Sequence, residues 1–438
     1  MCLNMILDIL NFGPIHTAKV EINGLSVIAG DNDTGKSTIG KALFSLIKGV
    51  QKSTEINEEV KNREIIQAVE DVYFSSRKML GVSLYSKIRE YIFPPTFFDD
   101  IKLRGISAVE SRKNSIYVIE NLLLDEDSIY KDFAIKFNRI HDLIEDGVDP
   151  ISVQIKSLSS IIHSEFKGGV VNRYISSNVS KLKLVDSDIE ILSCDLHDGK
   201  VKSFQQLDLI QYVDITYVDS PAVVNFISQI DISGSFDAGA RSGSKPLTIP
   251  LHYKDLLTKL KNSKYYDDEP SVIEKEISGI YGGKFSYNEK DNDFVYKNNK
   301  GVSASSINIA AGIKSLGILN SLVVSGLTND KTILIIDEPE VNLHPKWQLE
   351  YAKIICELVS MGGNILVNTH SPYIVEALKA FSVRKGIRSN FYYAEKIAGG
   401  HTELRSLGSD IGDILEALAA PFQRLYEDSC FISDDYDL

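Results

Sequence analysis

The chain is poor in cysteine, in long apolar runs and in positive charge. Its 438 residues include four cysteines, Cys2, Cys194, Cys356 and Cys430, none close to another. That spacing excludes a CxxC metal site and a compact disulfide framework. Cys356 lies in an apolar stretch and is expected in the core, where free cysteine usually sits. No apolar run approaches the ~18–20 residues that a membrane span requires, so no membrane association is expected. The opening residues Met1-Cys2-Leu3-Asn4-Met5-Ile6 lack the charged head and small-residue cleavage site of a signal peptide, which makes a cytoplasmic location the default expectation. Lys and Arg number 47 against 60 Asp and Glu, a formal net charge of −13. This argues against a protein coated in nucleic acid through charge alone, while a local basic groove stays open. Internal repeats are absent as well. The remaining composition, 43% hydrophobic and 24% charged, is that of a chain able to bury a sizeable core. Its length allows two or three domains.

Two segments stand out against this plain background. Gly30-Asp31-Asn32-Asp33-Thr34-Gly35-Lys36-Ser37 spells G-x-x-x-x-G-K-[ST]. Such a loop needs its glycines so that the backbone can turn tightly and bring N–H groups to phosphate oxygens. Lys36 would reach the β- and γ-phosphates, and the Ser37 hydroxyl would bind magnesium. The helix that starts at Ser37 and Thr38 adds free N–H groups and a favourable dipole. The second segment is Thr332-Ile333-Leu334-Ile335-Ile336-Asp337-Glu338-Pro339. It reads as a buried strand whose carboxylates emerge at the C-terminal end, where open α/β sheets place their ligands. Asp337 would hold magnesium, directly or through water, and Glu338 would orient or deprotonate the attacking water. Taken alone, an acidic pair could merely cap the next helix. A third position, His370 in Asn368-Thr369-His370-Ser371-Pro372, follows the apolar run Ile365-Leu366-Val367. A lone histidine is usually structural. At the end of a strand expected beside the Asp337 strand, it can point at a γ-phosphate.

The patterning places these motifs in an α/β frame. Met5 to Leu10, Ile15 to Ile22 and Leu25 to Ala29 read as strands, the last leading into the loop, and Ser37 to Lys48 has helical spacing. From about Glu55 to Lys183 the pattern is mainly helical, interrupted at Phe93-Pro94-Pro95 and near Asp149-Pro150. No heptad run is long enough for a coiled coil, which excludes a long-armed chain of the chromosome-maintenance type. A strand returns at Val213 to Val218, and Asp231 to Lys245 is a Gly/Ser/Ala-rich stretch read as a surface loop. Helices are expected near 252–263 and 270–280, and a hairpin at 284–288 and 293–296. From 304 onward helices and strands alternate, with strands at 332–336, 364–367 and 390–395 and a last helix near 410–427. The expected division is 1–50, the first part of a head with the phosphate loop; 51–210, a helical insertion; 211–300, a return to the head; and 301–438, its C-terminal part.

These residues resemble a family. GDNDTGKST, DEPEVNLHP and NTHSP together are similar to the ABC-type ATPase heads of the OLD, RecF and Rad50 group, and Asn11-Phe12-Gly13-Pro14-Ile15 resembles the first strand of such heads. The resemblance covers roughly 1–50 and 300–425. It implies a P-loop head, a mixed α/β sheet flanked by helices, here with a large mainly helical insertion. It also implies ATP and Mg²⁺ as ligands, and a dimer in which each head offers a signature segment to the ATP of its partner. The candidate signature is Asn308-Ile309-Ala310-Ala311-Gly312-Ile313-Lys314-Ser315. The usual serine is replaced by Ala310 or Ala311, which leaves the Gly312 N–H, the helix N-terminus and Lys314 for the partner's γ-phosphate, with Asn308 beside them. Hydrolysis by the chain alone is therefore expected to be slow. The family's magnesium- and water-sensing glutamine has no clear counterpart. Gln51 and Gln67 are candidates by position only.

OLD nucleases continue into a Toprim domain with a glutamate and a DxD pair. Here Asp435-Tyr436-Asp437 has that spelling only at the terminal residues and reads as an acidic tail. Stand-alone heads of this kind resemble the ATPase subunits of anti-phage systems such as Septu and PARIS, or of retron-linked relatives, where a separate effector, often a nuclease, is the partner. The leading expectation is thus a dimeric ATPase that senses or scaffolds within a defence complex. A RecF- or Rad50-like ATPase that binds DNA is the alternative, with nucleic acid as partner. For that reading Arg384-Lys385-Gly386-Ile387-Arg388, otherwise a solvated face like Arg112-Lys113, is the place to test. A small-molecule kinase is opposed by the Asp337-Glu338 pair and His370, and a transporter motor by the altered signature and the large insertion.

Overall fold

A computed structural model of the chain describes residues 5–80, 82–121, 127–145, 149–228, 230, 249–265, 269–408 and 410–420. The Gly/Ser-rich stretch from Asp231 to Lys245, the end of the expected last helix, and Asp435-Tyr436-Asp437 lie outside the described residues. The chain forms two compact units, one of residues 1–51 with 158–438 and one of 52–157.

The first unit is built on an eleven-stranded sheet. Its strands are β1 (Met5–Phe12), β2 (Ile15–Ile22), β3 (Leu25–Ala29), β4 (Val179–Asp186), β5 (Ile189–His197), β6 (Lys200–Gln206) and β7 (Asp214–Val218). A separate three-stranded sheet holds β8 (Gly283–Asn288), β9 (Asp293–Asn298) and β10 (Ser303–Ser305). The large sheet is completed by β11 (Thr332–Asp337), β12 (Asn364–Thr369), β13 (Ser389–Lys396) and β14 (Thr402–Gly408). Strand order is β6-β5-β4-β1-β2-β14-β13-β3-β12-β11-β7. The run β13-β3-β12-β11-β7 is parallel throughout, whereas β2, β1, β4, β5 and β6 pair antiparallel. Burial follows the pairing. Every residue of β3, β11 and β12 is buried, as parallel strands covered on both faces require. In β1 the first seven residues alternate between buried and half-buried positions.

One face of the parallel strands, with Val27, Leu334, Ile336 and Val367, belongs to a single core shared with the helices Leu251–Asn262, Ala311–Val324, Pro345–Ser360 and Pro372–Lys385. The opposite face carries the helix Lys36–Gln51, and Gly40 is what lets it lie close. A Cβ there would stand 2.9 Å from the Tyr217 ring, 3.1 Å from Ile335 and 3.2 Å from Asn368. The fold is therefore a mixed α/β sheet flanked by helices, as the patterning and the resemblance together predict.

The expected helical insertion, 51–210, is helical only in part. Helices occupy Ser53–Met79, Val82–Ile92, Pro94–Arg104, Ile106–Asn121, Asp127–Glu145 and Pro150–Phe166, and then β4, β5 and β6 extend the sheet. The correction has a local cause. Lys181-Leu182-Lys183-Leu184 alternates with period two, its leucines buried and its lysines half-buried, which is a strand pattern. The second unit, 52–157, has its own core of Ile65, Val69, Ile92, Phe97, Phe133 and Phe137 among others. The Phe93-Pro94-Pro95 interruption starts a new helix there, with proline in its first turn, where no backbone N–H is missed. Among the described residues, no helix is long and apolar enough to cross a membrane.

Candidate nucleotide site

The phosphate loop leaves the C-terminal end of β3 and enters the helix Lys36–Gln51. Gly35 has φ +77°, and a Cβ on it would lie 2.7 Å from the Pro14 ring, so the turn between β1 and β2 backs the loop and requires glycine there. Thr34 Oγ1 donates to the Asp31 carbonyl at 2.8 Å. Lys36 is buried, and its Nζ donates to the carbonyls of Gly30 (2.8 Å) and Asp31 (2.6 Å). Burial lowers its pKa, against the pull of Glu338, Asp337, Glu340 and Asp31. The lysine thus lies within electrostatic reach of the carboxylates at the neighbouring strand ends. Asp31, Asn32 and Asp33 are exposed, and Asp33 pairs with Lys396 at 2.6 Å. Ser37 and Thr38 are half-buried in the first turn, where N–H groups have no intrahelical acceptor.

β12 lies between β3 and β11, so the three motifs end in one row. Thr369 stands opposite Ala29, and Asp337 opposite Asn368. Asp337 is held from both sides, accepting from Asn368 Nδ2 at 2.9 Å and from the Tyr217 hydroxyl at 2.7 Å. Burial, with Asp337 beside it, pushes the Tyr217 hydroxyl well above its usual pKa, which keeps it a donor. Glu338 then adopts φ +49°, an uncommon conformation for a non-glycine residue, and its N–H donates to the Asn368 carbonyl at 2.8 Å. This turn ends the strand and leaves the Glu338 side chain partly exposed. His370 Nδ1 lies 3.7 Å from Glu338 Oε1 and 3.1 Å from Glu340 Oε1. Lys36, Asp337, Glu338 and His370 are thereby brought together by three adjacent strands.

The signature residues form a separate set on the same unit. The helix Ala311–Val324 is preceded by Ala310, whose methyl side chain cannot cap its first N–H groups. Gly312 is buried, with room for no side chain. A Cβ would meet the ring of Trp347 at 2.9 Å and Leu343 at 3.0 Å. Lys314 is buried and donates to Asn225 Oδ1 at 2.9 Å, and burial lowers its pKa. Its ammonium is thus engaged within its own chain. Asn308 is exposed and ends a short 3₁₀ turn. Among the described residues, 308–314 share no hydrogen bond or ion pair with the phosphate loop, Asp337, Glu338 or His370.

Several residues of the site have a role that the motifs alone do not assign. Tyr217, Asn368, Glu340 and Gln348 all support Asp337 or the His370 turn. Asp219 follows β7, the parallel neighbour of β11, and so shares the edge with Asp337. It accepts from Tyr253 at 2.8 Å and meets His252 Nε2 at 3.2 Å, while His252 Nδ1 meets Glu165 at 2.5 Å. Burial would lower the His252 pKa, but its hydrogen bonds to Asp219 and Glu165 raise it. Burial would raise that of Asp219, but His252 brings it down. A signal for Asp219 does exist in the sequence. Ser220-Pro221 after Asp219 matches Ser371-Pro372 after His370, and in both the serine caps a helical turn and proline enters it. Gln51, by contrast, donates to the Tyr212 carbonyl at the far end of the helix from Lys36, roughly 22 Å away at 1.5 Å per residue. Gln67 lies in the helical unit.

The donor set fits a nucleotide with magnesium. Lys36 has carbonyl partners that phosphate oxygens can replace, and the Asp337 carboxylate retains lone pairs beyond its two bonds. Among the described residues, no cluster of three or more His, Cys, Asp or Glu could hold a metal alone. Ser37 and Asp337 would therefore share a magnesium ion with phosphate and water oxygens, its usual mode beside nucleotides.

Comparison with known proteins agrees at the level of class. A family model described as an AAA ATPase domain matches residues 252–375, from the helix carrying His252 past His370. No curated protein matches the chain. Among solved structures, the SMC head domain from Thermotoga maritima is similar at 10% identity, over 93% of this chain and 99% of that one, with TM-score 0.37. An Smc head with an extended coiled coil, bound to the C-terminal domain of ScpA and derived from Pyrococcus furiosus, is similar at 10% identity, over 98% and 99%, with TM-score 0.41. The ATP-binding cassette of an ABC transporter in its ADP conformation is similar at 9% identity, over 95% and 96%, with TM-score 0.33. At such low superposition scores, the fold assignment rests on the strand order and loop geometry of this chain itself.

Proposed function

We propose that this chain binds and hydrolyses ATP as an ABC-type head of the OLD, RecF and Rad50 kind. Two copies meet head to head, and the closed pair regulates or scaffolds a separate effector, a nuclease, in bacterial anti-phage defence. The observation that carries the ATPase reading is the row of adjacent strand ends bearing the phosphate loop, His370 and Asp337-Glu338. In this reading the loop N–H groups and Lys36 hold the phosphates, and Ser37 and Asp337 hold magnesium. When bound, that ion would neutralise negative charge on the phosphates. Glu338, turned out of the strand at φ +49°, orients the attacking water and takes its proton. His370 faces the terminal phosphate.

The head-to-head arrangement is supported by the signature geometry. The helix end at Ala311-Gly312 has no side-chain cap from Ala310, and such an end can receive an anion. A second copy would supply one. The effector and defence role rest on the DEPEVNLHP and NTHSP resemblance. ATP turnover by the purified chain tests the reading. Glu338→Gln should lower turnover by about a hundredfold or more while ATP still binds. Turnover by the variant at the parent rate would remove Glu338 from the mechanism.

A further inference from the structure

One buried carboxylate joins the turn after β12 to the turn after β11. Glu340 Oε1 accepts from Thr369 Oγ1 at 2.8 Å, from the His370 N–H at 2.7 Å and from the Ser371 N–H at 3.1 Å. All the donors crowd onto one oxygen. Glu340 Oε2 is buried with no hydrogen-bond partner among the described residues, and so is His370 Nδ1. Yet Nδ1 stands only 3.1 Å from Glu340 Oε1. Two buried polar atoms in touching residues, each without a bond, are costly, and each has what the other lacks. An ionised carboxylate only accepts, and a neutral imidazole has one nitrogen that donates. A second tie holds the two turns in place. Ser371 Oγ donates to Gln348 Oε1 at 2.8 Å, while Gln348 Nε2 donates to the Leu343 carbonyl at 3.1 Å. The two turns are thus pinned at two points, so rotation of the ring alone can complete the missing bond.

We propose that Glu340 is the positioning residue for His370. A small ring rotation gives the Nδ1–H to Glu340 and fixes the tautomer in which Nε2 is the nitrogen left for a ligand. The same bond frees Glu338. Glu338 Oε1 lies 3.7 Å from Nδ1 and would otherwise share that proton. With Nδ1 committed to Glu340, the Glu338 carboxylate stays open for the proton of a water. This inference rests on the ATPase reading for its kinetic consequence, and on the geometry alone for the tautomer.

The alternative is that Glu340 only caps the helix Pro372–Lys385 through the His370 and Ser371 N–H groups. Glu340→Gln separates the two roles. Its amide oxygen can still accept from Thr369, His370 and Ser371, whereas its N–H₂ would donate to Nδ1 and reverse the tautomer. The experiment uses ¹⁵N-histidine-labelled chain at a pH where the ring is neutral, with His370→Gln to assign the signal. Two-bond ¹H–¹⁵N spectra should show His370 as Nδ1–H in the parent and Nε2–H in Glu340→Gln. ATP turnover in Glu340→Gln should fall about ten- to a hundredfold with KM for ATP within about twofold. The double variant with His370→Gln should be no slower than His370→Gln alone. An Nε2–H parent, an unchanged tautomer in the variant, or losses that multiply would each overturn the proposal. The parent spectrum decides even where Glu340→Gln does not fold. A parent with no ATP turnover would sink the ATPase reading and leave the tautomer to judge Glu340 separately.

Discussion

Asp337, the carboxylate proposed to hold magnesium, is kept still by the fold itself. Tyr217 and Asn368 grip one oxygen each, from the two strands that flank β11. Tyr217→Phe leaves Asp337 Oδ2 without its donor while keeping the ring. Stability should fall by about 1–2 kcal/mol in a denaturant melt, and the magnesium concentration for half-maximal turnover should rise. An unchanged magnesium dependence would deny Tyr217 that role. His252 gives a pH signature of its own. Its folded pKa is raised, so its contribution to stability is full below its unfolded value near pH 6.5 and is lost as pH rises through the folded value. Asp219 works in the opposite sense. Its pKa is depressed, so its contribution is lost only as pH falls through the folded value. The melting temperature should therefore decline above about pH 6.5, and His252→Gln should flatten that decline. At this scale Lys36, Asp337, Glu338 and His370 were legible because each sits in a short local motif. Tyr217 and Glu340 were not, because their partners are set by strand order, with Tyr217 and Asp337 being 120 positions apart.

Among the elements, those buried on both faces were the easiest to read. β11 and β12 are short apolar runs ending in polar residues, and their length is that of a strand and not of a helix. β4 was harder, since its lysine and leucine alternation is short and closes a stretch whose earlier patterning is helical. The pairing of β3 with β12 and β13 could not be read at all, because nothing local to Leu25–Ala29 specifies neighbours from 364–369 and 389–396. Close packing between elements makes a sharp prediction. Gly40→Ala pushes a methyl group against Tyr217 and Ile335 and should cost about 1–3 kcal/mol. Gly279, in the helix Val272–Tyr281, has nothing within 4 Å of its would-be Cβ. Gly279→Ala should therefore stabilise by up to ~1 kcal/mol through helix propensity alone. Chemical denaturation of the two variants checks the pair, and a destabilised Gly279→Ala or a neutral Gly40→Ala would contradict this packing.

Across the whole molecule, the residues proposed for ATP chemistry divide into two sets. The phosphate loop, Asp337, Glu338 and His370 share one sheet edge, while the uncapped helix end at Gly312 makes no bond to them within the chain. Under the head-to-head proposal, a single copy would carry both halves of a site without joining them. Loss of Lys36 acts before any joining. Lys36→Ala should weaken ATP binding about a hundredfold, the equivalent of ~3 kcal/mol from a charge-assisted contact, as read by calorimetry. Trp347, the one tryptophan of the chain, lies against Gly312, so its fluorescence would report a second copy binding at that helix end. The most direct measurement is the mass in solution of Glu338→Gln by light scattering, with and without ATP and magnesium. The mass should double with ATP and return to that of one copy in Lys36→Ala/Glu338→Gln. A Glu338→Gln chain that binds ATP yet keeps the mass of a single copy would contradict the head-to-head account.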